Sequence, residues 1–207
     1  MRHTQKISAI ALLAAFAFLA NYLTRFTPPI FAFPPLRLDA KDVIIVLGGF
    51  SLGVIPAMAI AATTAVLELS VSATGLMGLP MNIIASWAFA IPAVMLFRGF
   101  YNFDKSKNKL ALTAISLFFA TITMTGVMIL WNWLLTPLIV GMPRQAVIPL
   151  LTTVFLPFNL IKGTVSSVMI MIAVPTLLTA LRRAGIYKPK KPKNHIKNPC
   201  KTHKNMV

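Results

Sequence analysis

Lys162 stands inside the apolar stretch "FLPFNLIKGTVSSVMIMIAVP", with Asn159 before it and Ser166 after it. On a helix, positions 159, 162 and 166 fall on one face, so an amide, an ammonium and a hydroxyl converge there. Together they offer hydrogen-bond donors and acceptors for holding a polar molecule, without a nucleophile or an acid–base pair. A charged side chain at the centre of a membrane helix costs about 2.5–3.5 kcal/mol on insertion scales, so something must offset Lys162. Either it faces a cavity in the interior of a helix bundle, or it lies near a helix end and lifts its ammonium to the interface. Asn132 in "WNWLLTP", Asn82 in "GLPMN" and Glu68 are further polar groups in apolar surroundings. Trp131, Trp133, Phe155 and Phe158 lie beside them and would supply flat apolar walls. Simpler roles stand next to these: Asn82 as a helix N-terminal residue serving backbone donors, the tryptophans as an interfacial belt, and Glu68 as the partner of Arg37 or Lys41.

Catalysis has little to work with. No "GxxxxGK[ST]" occurs, so the chain has no phosphate-binding loop of its own. His3, His195 and His203 lie in the basic ends, which leaves no metal-ligand spacing, and near the polar cluster the acids are Glu68, Asp39 and Asp42. The expectation is a binding protein with no catalytic residues, no metal and no cofactor.

The elements that position these residues are membrane helices. Of 207 residues, 57 % are hydrophobic and 12 % charged, and the mean hydropathy is +0.78, which suits a bilayer and not a soluble domain. Apolar runs cover 7–23, 43–71, 81–97, 110–140 and 146–181. Each is long enough to cross a hydrocarbon core of about 30 Å, and no strand-like alternation points to a barrel. The run 43–71 would measure roughly 43 Å as one helix. Its centre, "GGFSLGVIPAM", holds Gly48, Gly49, Gly53 and Pro56, so it reads as two short helices joined by a tight turn. The last helix is expected from about Pro157 to Leu181, which places Asn159 and Lys162 in its first turns.

Six crossings result, with both termini and "RGFYNFDKSKNK" in the cytoplasm. That arrangement leaves fifteen basic residues inside and four outside (Arg25, Arg37, Lys41 and Arg144), with Lys162 in the membrane, in keeping with the positive-inside rule. The polar groups of four helices then gather towards the outer leaflet, as an outward-facing ligand pocket would require. The basic start followed by "AIALLAAFAFLA" also resembles a signal peptide, but the apolar run continues through Asn21 and Tyr22 to Arg25, which suits a retained helix. Residues 1–185 are expected to form the membrane domain, and residues 186–207 a basic, disordered cytoplasmic tail. From Arg182 onward there are nine Lys or Arg and no acid. With few aromatics to stack on bases, this reads as contact with anionic lipid and not with nucleic acid.

These residues resemble the substrate-binding S components of energy-coupling-factor (ECF) vitamin transporters, and within them the riboflavin-specific branch. The resemblance runs from about Ala9 to Arg183. It is carried by "LPFNLIKG" at the start of the sixth crossing, by Asn132 with Trp133 and Pro137, by "LRLDAKD" and by "GLMGLPMN". The family pattern Gly-Glu-x-Ala-Asn before the fourth crossing is here Gly78, Leu79, Pro80, Met81, Asn82.

The resemblance implies an all-α integral membrane protein, a six-transmembrane-helix bundle, that binds riboflavin from outside. It also implies coupling to a separate membrane scaffold protein and two ATP-binding subunits. Asn132, Asn159 and Lys162 are its carried-over ligand contacts, with Asn82, Phe158 and Trp131 as further candidates from the residue reading. Ala11 and Ala15 match the alanine pair by which the family's first helix meets the scaffold. Another water-soluble vitamin with a flat heterocycle would use the same set. A reading of a different class is a membrane anchor or interaction protein whose basic tail does the work.

Overall fold

The structure, a computed structural model, describes residues 3–24, 39–71, 75–103, 109–141 and 143–183. The expectations for the connection around Arg25 and Arg37, for residues 104–108 of "RGFYNFDKSKNK" and for the tail after Arg183 lie outside the described residues. Helix α1 runs His3–Thr24, α2 Lys41–Leu52, α3 Val54–Glu68, α4 Gly75–Phe103, α5 Lys109–Val140, α6 Arg144–Leu150 and α7 Leu156–Arg183. A short 3₁₀ turn, Leu69–Val71, follows α3, and a π turn, Leu151–Phe155, joins α6 to α7.

Among the described residues, five helical stretches are long and apolar enough to cross a membrane: Thr4–Thr24, Val54–Val71, Gly78–Gly99, Leu110–Leu138 and Arg144–Thr176. Helix α2 is the sixth crossing expected from sequence. At 12 residues it spans only about 18 Å, so it cannot bridge a bilayer on its own terms. It is embedded among other helices instead, with Val43, Ile45, Val46, Gly48, Gly49 and Phe50 all buried. A helix that is apolar all round is one that is covered all round.

The break between α2 and α3 falls at Gly53, whose φ of +114° is a conformation that side chains with a Cβ rarely adopt. Its N–H closes α2 by donating to the Gly49 carbonyl at 2.8 Å. Pro56 then sits in the first turn of α3, where its missing N–H would have had no helical partner. The two-helix reading of 43–71 is what the chain does.

The core joins α1 (Ala14), α2 (Ile45, Val46), α3 (Ile60, Ala61), α4 (Phe89, Ala93, Val94), α5 (Leu117, Met124) and α7 (Ile170, Val174). Small residues let the backbones approach closely where lipid supplies no hydrophobic drive between helices. The opposite faces, with Leu12, Phe16 and Leu19 on α1, Phe118 on α5 and Ile172 on α7, are exposed and apolar, as lipid contact demands.

The last two elements are more continuous than the sequence suggested. The segment near "GMPRQ" is helical from Arg144, and the chain reaches α7 without leaving the helix, through the π turn. Pro157 lacks an N–H and cannot donate to the Thr153 carbonyl, which removes one α-helical bond. The N–H of Leu156 donates one residue further back, to Leu151. A wide turn of this kind rotates the following helix relative to the preceding one and so sets which face of α7 carries Asn159 and Lys162.

Candidate functional site

Because the helices alternate in direction, the end of α1, the start of α2, the end of α3 and the starts of α4 and α7 lie at one end of the bundle. Of the four acids in the chain, Asp39, Asp42 and Glu68 are found there. Two lysines answer them.

Lys162 is buried, with 6 % of its surface exposed. Its Nζ lies 2.5 Å from Asp39 Oδ2 and 3.5 Å from Asp42 Oδ2. Snorkelling is therefore not how the ammonium is accommodated: two carboxylates hold it inside the bundle. The carboxylates differ in their setting. The Asp39 side chain, at the edge of the α1–α2 connection, is 20 % exposed, whereas Asp42 is buried in the first turn of α2. Asp42 Oδ1 accepts a hydrogen bond from Ser86 Oγ of α4 at 2.7 Å.

Lys41, one residue earlier, is also buried and donates to Glu68 Oε2 at 2.6 Å. Glu68 accepts two amide hydrogen bonds besides, from Asn21 of α1 to Oε1 at 2.6 Å and from Asn82 of α4 to Oε2 at 2.8 Å. An ion pair taken out of water is tolerable when additional hydrogen bonds satisfy its remaining atoms, and Glu68 meets that condition. The pairing of Glu68 with Lys41, one of its two candidate partners in the sequence, is the one observed.

Asn82 does not open its helix. Helix α4 begins at Gly75, so Asn82 lies two turns inside and its amide serves Glu68 and not the backbone. Asn132 and Asn159 are both buried, and each donates to the carbonyl four residues before it, Met128 at 2.7 Å and Phe155 at 2.7 Å. Thr136 Oγ1 donates to Asn132 Oδ1 at 3.3 Å. No hydrogen bond among the described residues links Asn132, Asn159 and Lys162 to one another.

Phe158 packs with Phe155, Leu151 and Val147 in a small apolar cluster at the α6–α7 junction. Trp131 Nε1 is buried without a hydrogen-bond partner. Trp133 is exposed, with the Arg144 guanidinium 5.6 Å from its ring centre, close enough for a cation–π contact. On α1, Ala14, Ala17 and Asn21 face the bundle, while Ala11 and Ala15 are exposed on the other side.

Gly163, in "FNLIKG", has a packing role of its own. A Cβ there would lie 2.6 Å from Thr121 Cγ2 and 3.0 Å from Thr121 Oγ1, so α7 and α5 touch at this point only because the residue is glycine. Sequence reasoning missed Asn21 and Ser86 as members of the polar cluster, and missed the carboxylates as partners of Lys162. The spacing in "LRLDAKD" is the one signal that pointed to them, since two acids three residues apart at a helix start share a side.

The sequence model of the family described as "ECF transporter, substrate-specific component" matches residues 5–174. The chain belongs to this family. The structure of the S component of a bacterial ECF transporter is similar to this ECF S component with a TM-score of 0.72 and 26 % sequence identity, over 88 % of this chain and all of the other. No curated protein gives a significant match. As an ECF S component the chain is a substrate-binding transporter subunit and not an enzyme, and membership implies a membrane scaffold protein, ATPases and a vitamin-type ligand.

Proposed function

We propose that this S component captures riboflavin from outside the cell and releases it inward when coupled to the scaffold protein and two ATP-binding subunits. The observation that carries the reading is the burial of Lys162 and Asn159 together on the first turns of α7, with Asn132 buried towards the end of α5. These are the positions at which "LPFNLIKG" and "WNWLLTP" resemble the riboflavin branch.

The chemistry suits a flavin. An isoalloxazine has apolar faces and an edge of alternating donors and acceptors, which amides and a lysine ammonium complement. Asn132 and Asn159 each spend one amide hydrogen on their own helix, which leaves the second for a ligand. Phe158 and Trp131 would supply the ring's apolar walls, and Asn82 supports the same end through Glu68. The pocket opens outward, with both termini in the cytoplasm as the basic residues of the ends require. The membrane domain is 1–185, and the basic tail 186–207 lies against anionic lipid. Ala11 and Ala15, exposed and small, give the scaffold a close approach to α1.

Titration of purified protein with riboflavin, followed by quenching of flavin fluorescence, tests this. One-to-one quenching without ATP is expected. Absence of quenching at micromolar flavin, with binding of thiamine or a folate instead, would move the ligand assignment elsewhere.

A further inference from the structure

Asp42 Oδ2 is an anomaly. The residue is 2 % exposed, Ser86 occupies its other oxygen at 2.7 Å, and Oδ2 makes no hydrogen bond. Its nearest cation, Lys162 Nζ, is 3.5 Å away, near enough to attract but too far to donate, while the same ammonium is 2.5 Å from Asp39. Among the described residues the buried side-chain atoms without a hydrogen-bond partner are Asp42 Oδ2, an acceptor, and Trp131 Nε1, a donor. A buried carboxylate oxygen that faces a cation but accepts no hydrogen bond is under-satisfied, so such an atom points to a partner that arrives from elsewhere. A carboxylate serving only as a counter-charge would close to hydrogen-bonding distance, as Asp39 does. Ser86 instead fixes Asp42 with one oxygen held and the other presented.

We propose that Asp42 is a ligand-binding residue whose Oδ2 accepts a hydrogen bond from an N–H of the captured vitamin, next to the donors of Lys162. An acceptor and a donor 3.5 Å apart suit a ligand edge that carries N–H beside C=O, as in a cyclic imide or ureide. The inference rests on the vitamin-capture reading above, with the isoalloxazine imide as its occupant: the ring N–H donates to Asp42 and a flanking carbonyl accepts from Lys162. A charged acceptor makes this bond about twice as strong as a neutral pair would.

The test crosses a protein change with a ligand change. Riboflavin and 3-methylriboflavin, whose imide N–H is replaced by N–CH₃, are titrated into wild type and Asp42→Ala, and melting of each unliganded protein is recorded. Asp42→Ala should weaken riboflavin roughly ten- to a hundredfold. The penalty for methylation should be of similar size in wild type and nearly absent in the variant. Unchanged riboflavin affinity in Asp42→Ala overturns the proposal, and so does a methylation penalty that persists in full, because then Asp42 only supports Lys162.

Should Asp42→Ala not fold, Ser86→Ala lets the carboxylate rotate. Several-fold weaker riboflavin at near-normal melting supports the proposal, and unchanged affinity overturns it. If wild type refuses riboflavin but binds thiamine or folate, the riboflavin assignment falls while Asp42 is judged on that vitamin. A tenfold loss on Asp42→Ala upholds the residue, and equal binding overturns it. Refusal of all three vitamins overturns both readings.

Discussion

Lys41 and Asp42 are adjacent in sequence and both buried, yet they belong to two different charge clusters. Lys41 reaches Glu68 at 2.6 Å, and through Glu68 it meets Asn21 of α1 and Asn82 of α4. Asp42 turns to Ser86 of α4 at 2.7 Å and to Lys162 of α7 at 3.5 Å. The first turn of α2 thus ties together helices from across the bundle, and its two side chains carry opposite charges into an apolar interior.

Removing one member of the first cluster should be expensive. Lys41→Met leaves the buried Glu68 with two amide donors and no cation, and is expected to cost about 3–5 kcal/mol. Adding Glu68→Gln should recover part of the loss. Thermal melting in detergent measures both, and a double variant no more stable than Lys41→Met would show that the ion pair is not the source of the effect.

The two acids at Lys162 should differ in weight. Asp39, 20 % exposed at the side chain, can be solvated after substitution, and Lys162 then keeps Asp42. Asp39→Asn should therefore lower the melting temperature less than Asp42→Asn, which strips the buried partner. The reverse order would mean that depth does not set the strength of these pairs.

Lys162→Met removes the donors but also leaves two carboxylates without their cation. On the proposed reading of Lys162 as a riboflavin contact, binding should weaken roughly ten- to a hundredfold, and melting should fall as well. Adding Asp39→Asn, which removes one of the two stranded carboxylates, should recover part of the melting loss without restoring binding. Recovery of riboflavin affinity in that double variant would take Lys162 out of ligand contact.

Gly163→Ala should force α5 and α7 apart, because the new Cβ would stand 2.6 Å from Thr121 Cγ2. Overpacking of this kind costs about 1–3 kcal/mol. Thr121→Ala in the same chain removes the obstructing methyl and hydroxyl, so the double variant should melt above Gly163→Ala alone.

If α1 meets the scaffold through Ala11 and Ala15 and the ligand is riboflavin, as proposed, Ala11→Leu with Ala15→Leu should abolish riboflavin uptake by cells while leaving binding by the purified protein unchanged. Both side chains are exposed and neither supports the polar cluster. Intact uptake would place the scaffold contact on another face.

The sequence by itself determined the five long apolar spans, a break within "GGFSLGVIPAM", the start of α7 near Pro157 and the shared face of Asn159, Lys162 and Ser166. Each follows from hydropathy, helical period or the backbone limits of glycine and proline, which act within a few residues. It also brought Glu68 to Lys41 as one of two candidates, since the acid ends one helix and the lysine begins its neighbour. Only the tertiary structure decided what neutralises Lys162, because Asp39 lies 123 residues away along the chain and the pair depends on how far α7 is rotated after its π turn. The same holds for Asn82 and Asn21 meeting on Glu68, and for Asn132 and Asn159 turning to their own helices. An amide in an apolar run must find a partner, but whether that partner is a carbonyl one turn back or a side chain on another helix depends on the angle at which the helices pack.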